Sequence, residues 1–559
     1  MTRILIVGGV AGGATAAARL RRLDEDAEII VFERGGFVSF ANCGLPYYVG
    51  GVITNRAALL LQTPQGFYNR YRVEVRLQHE VTAVDPSAQS ITVKDLQTGE
   101  SRQEGYDKLV LAPGASPTMP EADADAQDRI FSLHTIPDMD AILEIVKNDI
   151  GNQTRELRAA VIGGGFIGLE TAENLVHLGL EVTLVQRSGQ VMPPLDPEMA
   201  GLIHTQLKKN GVNLLLNSPI QGIHKNTDAQ EGALTIELAN GSALNADFIV
   251  AAIGVKPLVK LAKEAGLKIG QSGGIFTDEH MRTSDPNIYA VGDAVELSDL
   301  VTQARRTLAL AGPANKQARI AADNICSIPS TYKGGQGSSV IKVFDQTVAL
   351  TGINEKTAME AGLDYDKVYL FAPSHATYFP GAEDMTMKML FEKPSGRILG
   401  VQIVGQEGVD KRCDAVAIAI RAGLDAQGLA ELELCYAPPY SSAKDPVNTA
   451  AYMISNLIDG RLKQFHWHDV AGLPRDGSVT LLDVRTVDEN AKGAIEGFKL
   501  IPVDELRERL GELDPHKPVF LHCQSGLRSY IASRILIQNG FEASHLCGGY
   551  RLYKLILGG

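Results

Sequence analysis

At 559 residues the chain is too long for one hydrophobic core and has room for about four units of ordinary domain size. Apolar residues make up 45% of it and charged residues 21%, which supplies cores and excludes disorder as the default state. A formal charge of -13 argues against a nucleic-acid binder or an anionic-membrane binder and leaves room only for local basic patches. The N-terminus runs straight into a strand without an apolar leader, and no run of about 18 apolar residues follows. Six sparse cysteines lack paired or metal-type spacing, so a cytoplasmic protein without metal is expected, in which any disulfide would be catalytic.

Ile4 to Val7 reads as a buried parallel strand, followed by a glycine turn, a helix of small residues, and a second apolar strand that ends in Glu33. This order is that of a dinucleotide-binding unit. Backbone N–H groups of Gly8, Gly9, Ala11 and Gly12 would hold a pyrophosphate, and Glu33 a ribose. Val10 occupies the second glycine position of G-x-G-x-x-G, so a purely structural glycine turn is the alternative. A second copy follows: the strand Ala159–Ile162, then Gly163, Gly165 and Gly168 with all three fingerprint glycines, then a helix and the strand Val182–Val185. Two such sites imply two dinucleotides, a tightly held flavin and a nicotinamide that reduces it. After the second strand Gln186 replaces the ribose acid and Arg187 follows. An arginine there accommodates a 2′-phosphate, which leans toward NADPH over NADH; a solvated arginine is the alternative of similar weight.

The strands before Ala112 and Gly114 and before Gly254 end in small residues, as needed where a chain passes close to a cofactor. A third apolar strand delivers Asp293 to the start of an expected helix, in reach of the flavin ribityl or phosphate region; a simple helix cap is the alternative. The thiol Cys43 lies ten residues beyond Glu33, within Ser39-Phe40-Ala41-Asn42-Cys43-Gly44-Leu45-Pro46-Tyr47. Arg19 and Arg22 share a face of the first helix, which suits phosphates or plain solvation.

Together these motifs resemble the flavin-dependent pyridine nucleotide-disulfide reductases over about the first 455 residues. The resemblance implies an α/β fold with two Rossmann-like domains, one inserted in the other, an α+β dimerisation domain, FAD and NAD(P)H as cofactors, and a homodimer. It divides the chain into an FAD-binding domain at 1–150 and 271–325, an NAD(P)H-binding domain at 151–270, and a dimerisation domain at 326–455. Most members carry two adjacent redox cysteines; the single Cys43 resembles the coenzyme A-disulfide reductase branch, which includes NADH oxidases and persulfide reductases. In that branch the cysteine exchanges with an external thiol. The resemblance carries over Cys43 as nucleophile, Tyr378 and Tyr436 as proton donors to a departing thiolate, and Thr15, Arg19, Arg22, Ser39, Asn42 and Lys444 as coenzyme A contacts. It also places Arg34 and Val81 at the flavin. A phosphate-binding lysine of some relatives falls at Tyr71, between Arg70 and Arg72. Structural tyrosines beside prolines are the alternative for Tyr378 and Tyr436.

After an expected linker at 456–470 a new α/β unit, 471–559, is expected, in which Val479–Arg485, Gly493–Ile495, Ile501–Pro502 and Val519–Cys523 read as alternating strands and helices. The last run ends in Cys523-Gln524-Ser525-Gly526-Leu527-Arg528-Ser529 before a helix. Backbone N–H groups of such a loop converge on the sulfur, and Arg528 favours negative charge there. The segment resembles a single rhodanese domain. For Cys326, Cys413, Cys435 and Cys547 a structural role is expected.

The expected activity is NAD(P)H-dependent reduction of coenzyme A persulfide, polysulfide or coenzyme A disulfide at Cys43, with Cys523 delivering sulfane sulfur. An NADH oxidase or peroxidase cycling through a Cys43 sulfenic acid is one alternative. A rhodanese sulfurtransferase with a flavin redox sensor is the other. The sequence leaves open the nicotinamide, the main sulfur substrate, and whether the two cysteines communicate within or across subunits.

Overall fold

The computed structural model describes residues 1–150, 157–226 and 232–557, which fall into two compact units: Met1–Val191 with Leu207–Gly337, and Met192–Gln206 with Ser338–Gly559. The expected start of the nicotinamide domain at 151 lies outside the described residues. Among the described residues no helix is long and apolar enough to cross a membrane.

The first unit is built twice from one plan. Its first parallel sheet runs in the order Ile288–Ala290, Lys108–Leu111, Arg3–Val7, Glu28–Glu33, Glu74–Leu77. Its second runs Ile130–Phe131, Phe248–Ala251, Arg158–Ile162, Glu181–Val185, Asn213–Leu215, also all parallel. In both, the central strand feeds the glycine turn and is buried along nearly its whole length, as strands covered on both faces must be. Each sheet also carries a three-stranded antiparallel meander in a chain excursion: His79–Gly105 between Glu74–Leu77 and Lys108–Leu111 in one, and Ile220–Ala246 between Asn213–Leu215 and Phe248–Ala251 in the other. The fifth strands differ in origin. Ile288–Ala290 joins the first sheet from far downstream, whereas Ile130–Phe131 joins the second from upstream, so the chain leaves one sheet to build the other and then returns.

In the second unit an antiparallel sheet of five strands, Ser339–Val343, Gln346–Gly352, Ile398–Gly405, Asp384–Glu392 and Tyr365–Pro373 in that spatial order, packs with the helices Val409–Ala422 and Pro446–Ile458. The latter helix starts at a proline capped by Asp445 and ends ahead of Gly460, whose φ of +68° closes it. A parallel sheet follows, ordered Gln464–Phe465, Ala543–Leu546, Val519–His522, Thr480–Asp483, Lys499–Leu500, with its own core around Leu482, Leu521 and Leu536.

Two local expectations are corrected. Asp293 does not start a helix: Gly292–Ala294 is a single 3-10 turn that leads into the strand Val295–Ser298, because the chain continues into a second small sheet. Gly493–Ile495 and Ile501–Pro502 are neither strand nor helix: the strand there is Lys499–Leu500, and Ile495 is buried in loop against Phe465 and Phe498, so its apolar character serves a core without sheet pairing.

Candidate active site

The two glycine turns repeat each other atom by atom. Gly8 and Gly163 hold φ of +94° and +102°, and a Cβ on either would lie 2.1 Å or 2.4 Å from the carbonyl oxygen of Ala112 or Ala252. Only glycine fits such an approach. One turn into each helix, a Cβ on Gly13 would meet the Gly8 carbonyl oxygen at 1.8 Å, and one on Gly168 the Gly163 oxygen at 1.9 Å. Superposing the copies by sequence would have paired Gly13 with Gly168; sequence reasoning named Gly12 and passed over Gly13. At the ends of the second strands, Glu33 accepts from Gly9 N at 2.8 Å and Gln186 from Gly164 N at 2.9 Å. Gln186 therefore stands in the structural place of Glu33 without its charge, and it donates on to Ser188 Oγ at 2.6 Å. Arg187 is exposed beside it, and Gly254 (φ +101°), three residues beyond the neighbouring strand Phe248–Ala251, leads into Val255–Pro257.

The first turn opens on a cavity of about 280 Å³ lined by Gly8, Gly9, Ala11, Gly12, Glu33, Arg34, Asn42, Ala112, Gly114 and Asp293. A second cavity of similar size continues past Arg34 to Val81 and Leu258. A long cradle walled by glycine backbone, with an acid at each of two points, fits an extended dinucleotide, and the chosen flavin-site residues all reach it.

Cys43 follows Asn42 in a 3-10 turn, Asn42–Gly44, ahead of the short helix Leu45–Val49. It is accessible and unpaired, as are all six cysteines in the sense of disulfides. Packing around its sulfur desolvates the thiol and pushes its pKa up, and the charges of Glu170 and Asp293 add to the rise. Glu170, on the helix of the second fingerprint, was not singled out from the sequence; its only signal is an acid seven residues beyond Gly163 in an otherwise apolar helix start. Burial raises its carboxyl to about 7, Glu173 adds to that rise, and the hydrogen bond donated by Tyr47 at 3.1 Å opposes it. Through pH 7 Glu170 thus gains a charge that disfavours a Cys43 thiolate. Glu170→Gln keeps an acceptor for Tyr47 and is expected to shift Cys43 alkylation by iodoacetamide to lower pH; an unmoved profile would remove Glu170 from the thiol's surroundings.

Of the residues carried over as coenzyme A contacts, Asn42 belongs to this turn, Ser39 precedes it in sequence, and Thr15, Arg19 and Arg22 lie on the helix Ala11–Leu23. Thr15 and Arg19 lie one helical turn apart and already bond Asn315 and Asp323 (2.7 Å for Arg19), while Arg22 on the next turn is exposed. Ser39 adopts φ +47°, a left-handed conformation uncommon for a serine, with its N–H on Gly9 O at 2.8 Å. Tyr71 packs against the core and accepts at its carbonyl from Arg21, so it offers no cation.

In the second unit the two chosen tyrosines come together: Tyr378 Oη and Tyr436 Oη are 3.0 Å apart on an exposed surface. That bond raises the Tyr378 pKa and keeps it a proton donor. Fully buried Arg412 aligns the two segments, bonding Ser374 O at 2.9 Å and Ser441 Oγ at 3.1 Å. Tyr436 lines a cavity of about 390 Å³ with His375, Lys411 and Tyr440; Lys444 is exposed nearby in sequence.

Cys523 is fully buried at the end of its strand, and Gly526 N donates to its sulfur at 3.1 Å. Its Sγ also lies 3.4 Å from Ser529 Oγ, which is 3.3 Å from His545 Nδ1. Gly549 (φ +60°) passes so close that a Cβ would lie 2.6 Å from Cys523 O, which is why Gly548-Gly549 precedes Tyr550. Arg528, expected to favour charge on the sulfur, instead grips Glu489 with both terminal nitrogens at 2.7 Å. As for a metal, Asp196, Glu198 and Glu355 converge among the described residues, but the Lys388 ammonium sits among all three, 2.7 Å from Asp196.

The family model of the pyridine nucleotide-disulphide oxidoreductases matches residues 2–318, that of their dimerisation domain 338–446, and that of the rhodanese-like domain 467–555. The chain is 34% identical to the coenzyme A disulfide reductase of Staphylococcus epidermidis over 453 residues, 81% of this chain and 99% of that one. It resembles the structure of reduced Bacillus anthracis CoADR-RHD with a TM-score of 0.95 and 44% identity, covering 100% of this chain and 98% of the other. It also resembles a NAD-dependent persulfide reductase from A. fulgidus, with a TM-score of 0.89, 37% identity, and coverage of 99% and 100%.

Proposed function

The chain belongs to the pyridine nucleotide-disulphide oxidoreductase family, and from that premise we propose that it reduces coenzyme A persulfide, polysulfide or coenzyme A disulfide with NAD(P)H. The observation that carries this reading is one accessible, unpaired cysteine beside the first dinucleotide cradle, with a second sulfur site in the same chain. A lone redox cysteine needs an external thiol partner, and relatives named for coenzyme A disulfide and persulfide reduction support coenzyme A in that role. The first cradle, lined by Gly8, Gly12, Glu33 and Asp293, would hold FAD, and the second glycine turn would hold NAD(P)H, which together would supply two electrons for sulfur reduction.

The Cys43 thiolate attacks the coenzyme A-bound sulfur of a persulfide. A Cys43–coenzyme A disulfide forms, the outer S–S bond breaks, and hydrosulfide leaves with the electron pair; with coenzyme A disulfide the leaving group is the second coenzyme A thiolate. Two electrons then return Cys43 and coenzyme A to thiolates. Tyr378 and Tyr436 are assigned to protonating the departing sulfur within a homodimer, supported by their 3.0 Å pairing and by the dimerisation-domain match. Thr15, Arg19, Arg22, Ser39, Asn42 and Lys444 are assigned to coenzyme A, and Cys523 to carrying sulfane sulfur. We assign 1–150 and 271–325 to the flavin, 151–270 to the nicotinamide, 326–455 to dimerisation, 471–559 to the sulfur carrier, and the whole to the cytoplasm; of the expected linker 456–470, Gln464–Phe465 is a strand of the carrier's own sheet.

In steady state, NAD(P)H consumption by the FAD-loaded protein should follow added coenzyme A persulfide or disulfide, and the isolated protein should show a coenzyme A adduct by intact mass. Full turnover on oxygen alone would instead favour the oxidase alternative. The exposed Arg187 beside uncharged Gln186 supports NADPH as the better donor. Arg187→Leu should raise KM for NADPH by roughly 10- to 100-fold, the loss of one charge-assisted contact, with little change for NADH. Equal losses for both nicotinamides would argue against that role.

A further inference from the structure

We propose that the Cys523 site takes its sulfur from an uncharged or singly charged aliphatic persulfide and selects against small inorganic dianions such as thiosulfate, because Glu489 cancels the charge of Arg528 at the loop. This rests on the reading of Cys523 as a sulfane sulfur carrier.

Arg528 is the cation of the loop, and its two terminal nitrogens are both spent on Glu489 at 2.7 Å. The carboxylate is held there independently of the arginine: the backbone N–H and hydroxyl of Thr486 donate to the same Oε2 at 3.0 and 3.1 Å, in a capping box that fixes the helix Val487–Ala491. The Arg528 partnership holds Glu489 down at about 2, so the carboxylate stays charged at any working pH. The neighbouring guanidinium, Arg485, is buried on Asp483 with a 2.7 Å contact. Burial holds His522 near 4, so it adds no charge. Among these four side chains two cations and two anions cancel, so together they offer an incoming dianion no net positive charge.

The same helices also present apolar surface. Val487 and Leu527, the first residues of the helices that carry Glu489 and Arg528, are 63% and 68% exposed, and Ile531 lies one turn beyond Leu527. Exposed apolar side chains beside a neutralised Arg528–Glu489 pair suit an aliphatic arm that ends in a persulfide better than a small dianion.

The transfer balances without a redox partner. The Cys523 thiolate attacks the outer sulfur of R–S–SH, a new S–S bond forms on Cys523, the donor S–S bond breaks, and R–S⁻ leaves with the electron pair while the proton stays on the transferred sulfur.

The test uses full-length, FAD-loaded protein with its thiols reduced. Initial rates of persulfide formation on Cys523 are measured by intact mass and cyanolysis, with N-acetylcysteamine persulfide and with thiosulfate. The alkyl donor should load at least about tenfold faster. Glu489→Gln keeps an acceptor for Thr486 but drops the charge, and it should raise the thiosulfate-to-alkyl rate ratio by about tenfold; Arg528→Leu, which leaves Glu489 uncompensated, should lower it. Because the readout is a ratio within one protein, partial loss of folding does not imitate it. Thiosulfate loading as fast as the alkyl donor, or an unchanged ratio in Glu489→Gln, overturns the proposal. If neither donor loads a Cys523 that iodoacetamide still alkylates, the carrier reading fails, and the inference with it.

Discussion

Cys43→Ser is expected to abolish NAD(P)H-dependent reduction of coenzyme A disulfide and persulfide, with a loss of roughly 10⁴-fold or more. The reason is chemical rather than steric. A serine hydroxyl fits the turn Asn42–Gly44 but forms no mixed disulfide, and the other five cysteines all lie at 326 and beyond, so no neighbour in the local sequence can take its place. The dinucleotide cradle does not use the Cys43 sulfur, so FAD content and the rate of flavin bleaching by NAD(P)H in stopped flow should stay close to wild type. A variant that retained a tenth of the disulfide turnover would remove Cys43 from the chemistry. One that lost flavin would show only that the turn is structural.

Cys523→Ser should cut sulfide release from an external alkyl persulfide by about 100-fold or more, while coenzyme A disulfide reduction stays within about twofold. The loop is held mainly through backbone: Tyr550 N donates to Cys523 O and Arg551 N to Gln524 O, both at 2.8 Å, and Gly549 seats the following helix against them. Serine keeps those bonds and loses only the atom that carries sulfur. Sulfide release that survives the substitution would make the C-terminal unit a separate sulfurtransferase or an idle one. A parallel fall in disulfide turnover would mean that the unit supports the rest of the chain structurally. Together with Cys43→Ser, this variant separates the two cysteines by substrate.

What was legible in the sequence shares one property: it is local. The glycine turns, the acid or its absence at the end of each second strand, the lone Cys43 and the Cys523 loop are each written in stretches of ten to thirty residues, because backbone geometry there tolerates few residue types. Even the repeat was legible, and the structure deepens it to matching approaches of 1.8 and 1.9 Å at Gly13 and Gly168. Local pattern misled where an apolar run served packing without pairing, as at Ile495, and where a strand ended in a bare turn at Asp293.

The remainder depends on chain segments that only folding brings together. Tyr47 meets Glu170 across 123 residues and Tyr378 meets Tyr436 across 58. Arg528 meets Glu489 across 39, and that carboxylate compensates the charge of the loop's arginine. The sequence by itself determined which groups are present and what each could do: two glycine-turn dinucleotide cradles, the lone thiol Cys43 in its turn, and the thiol Cys523 at the head of a glycine-bearing loop. The tertiary structure alone decided their charge states and partners, because burial and distance set the pKa of Glu170 and the neutralisation of Arg528, and neither quantity is encoded in spacing along the chain.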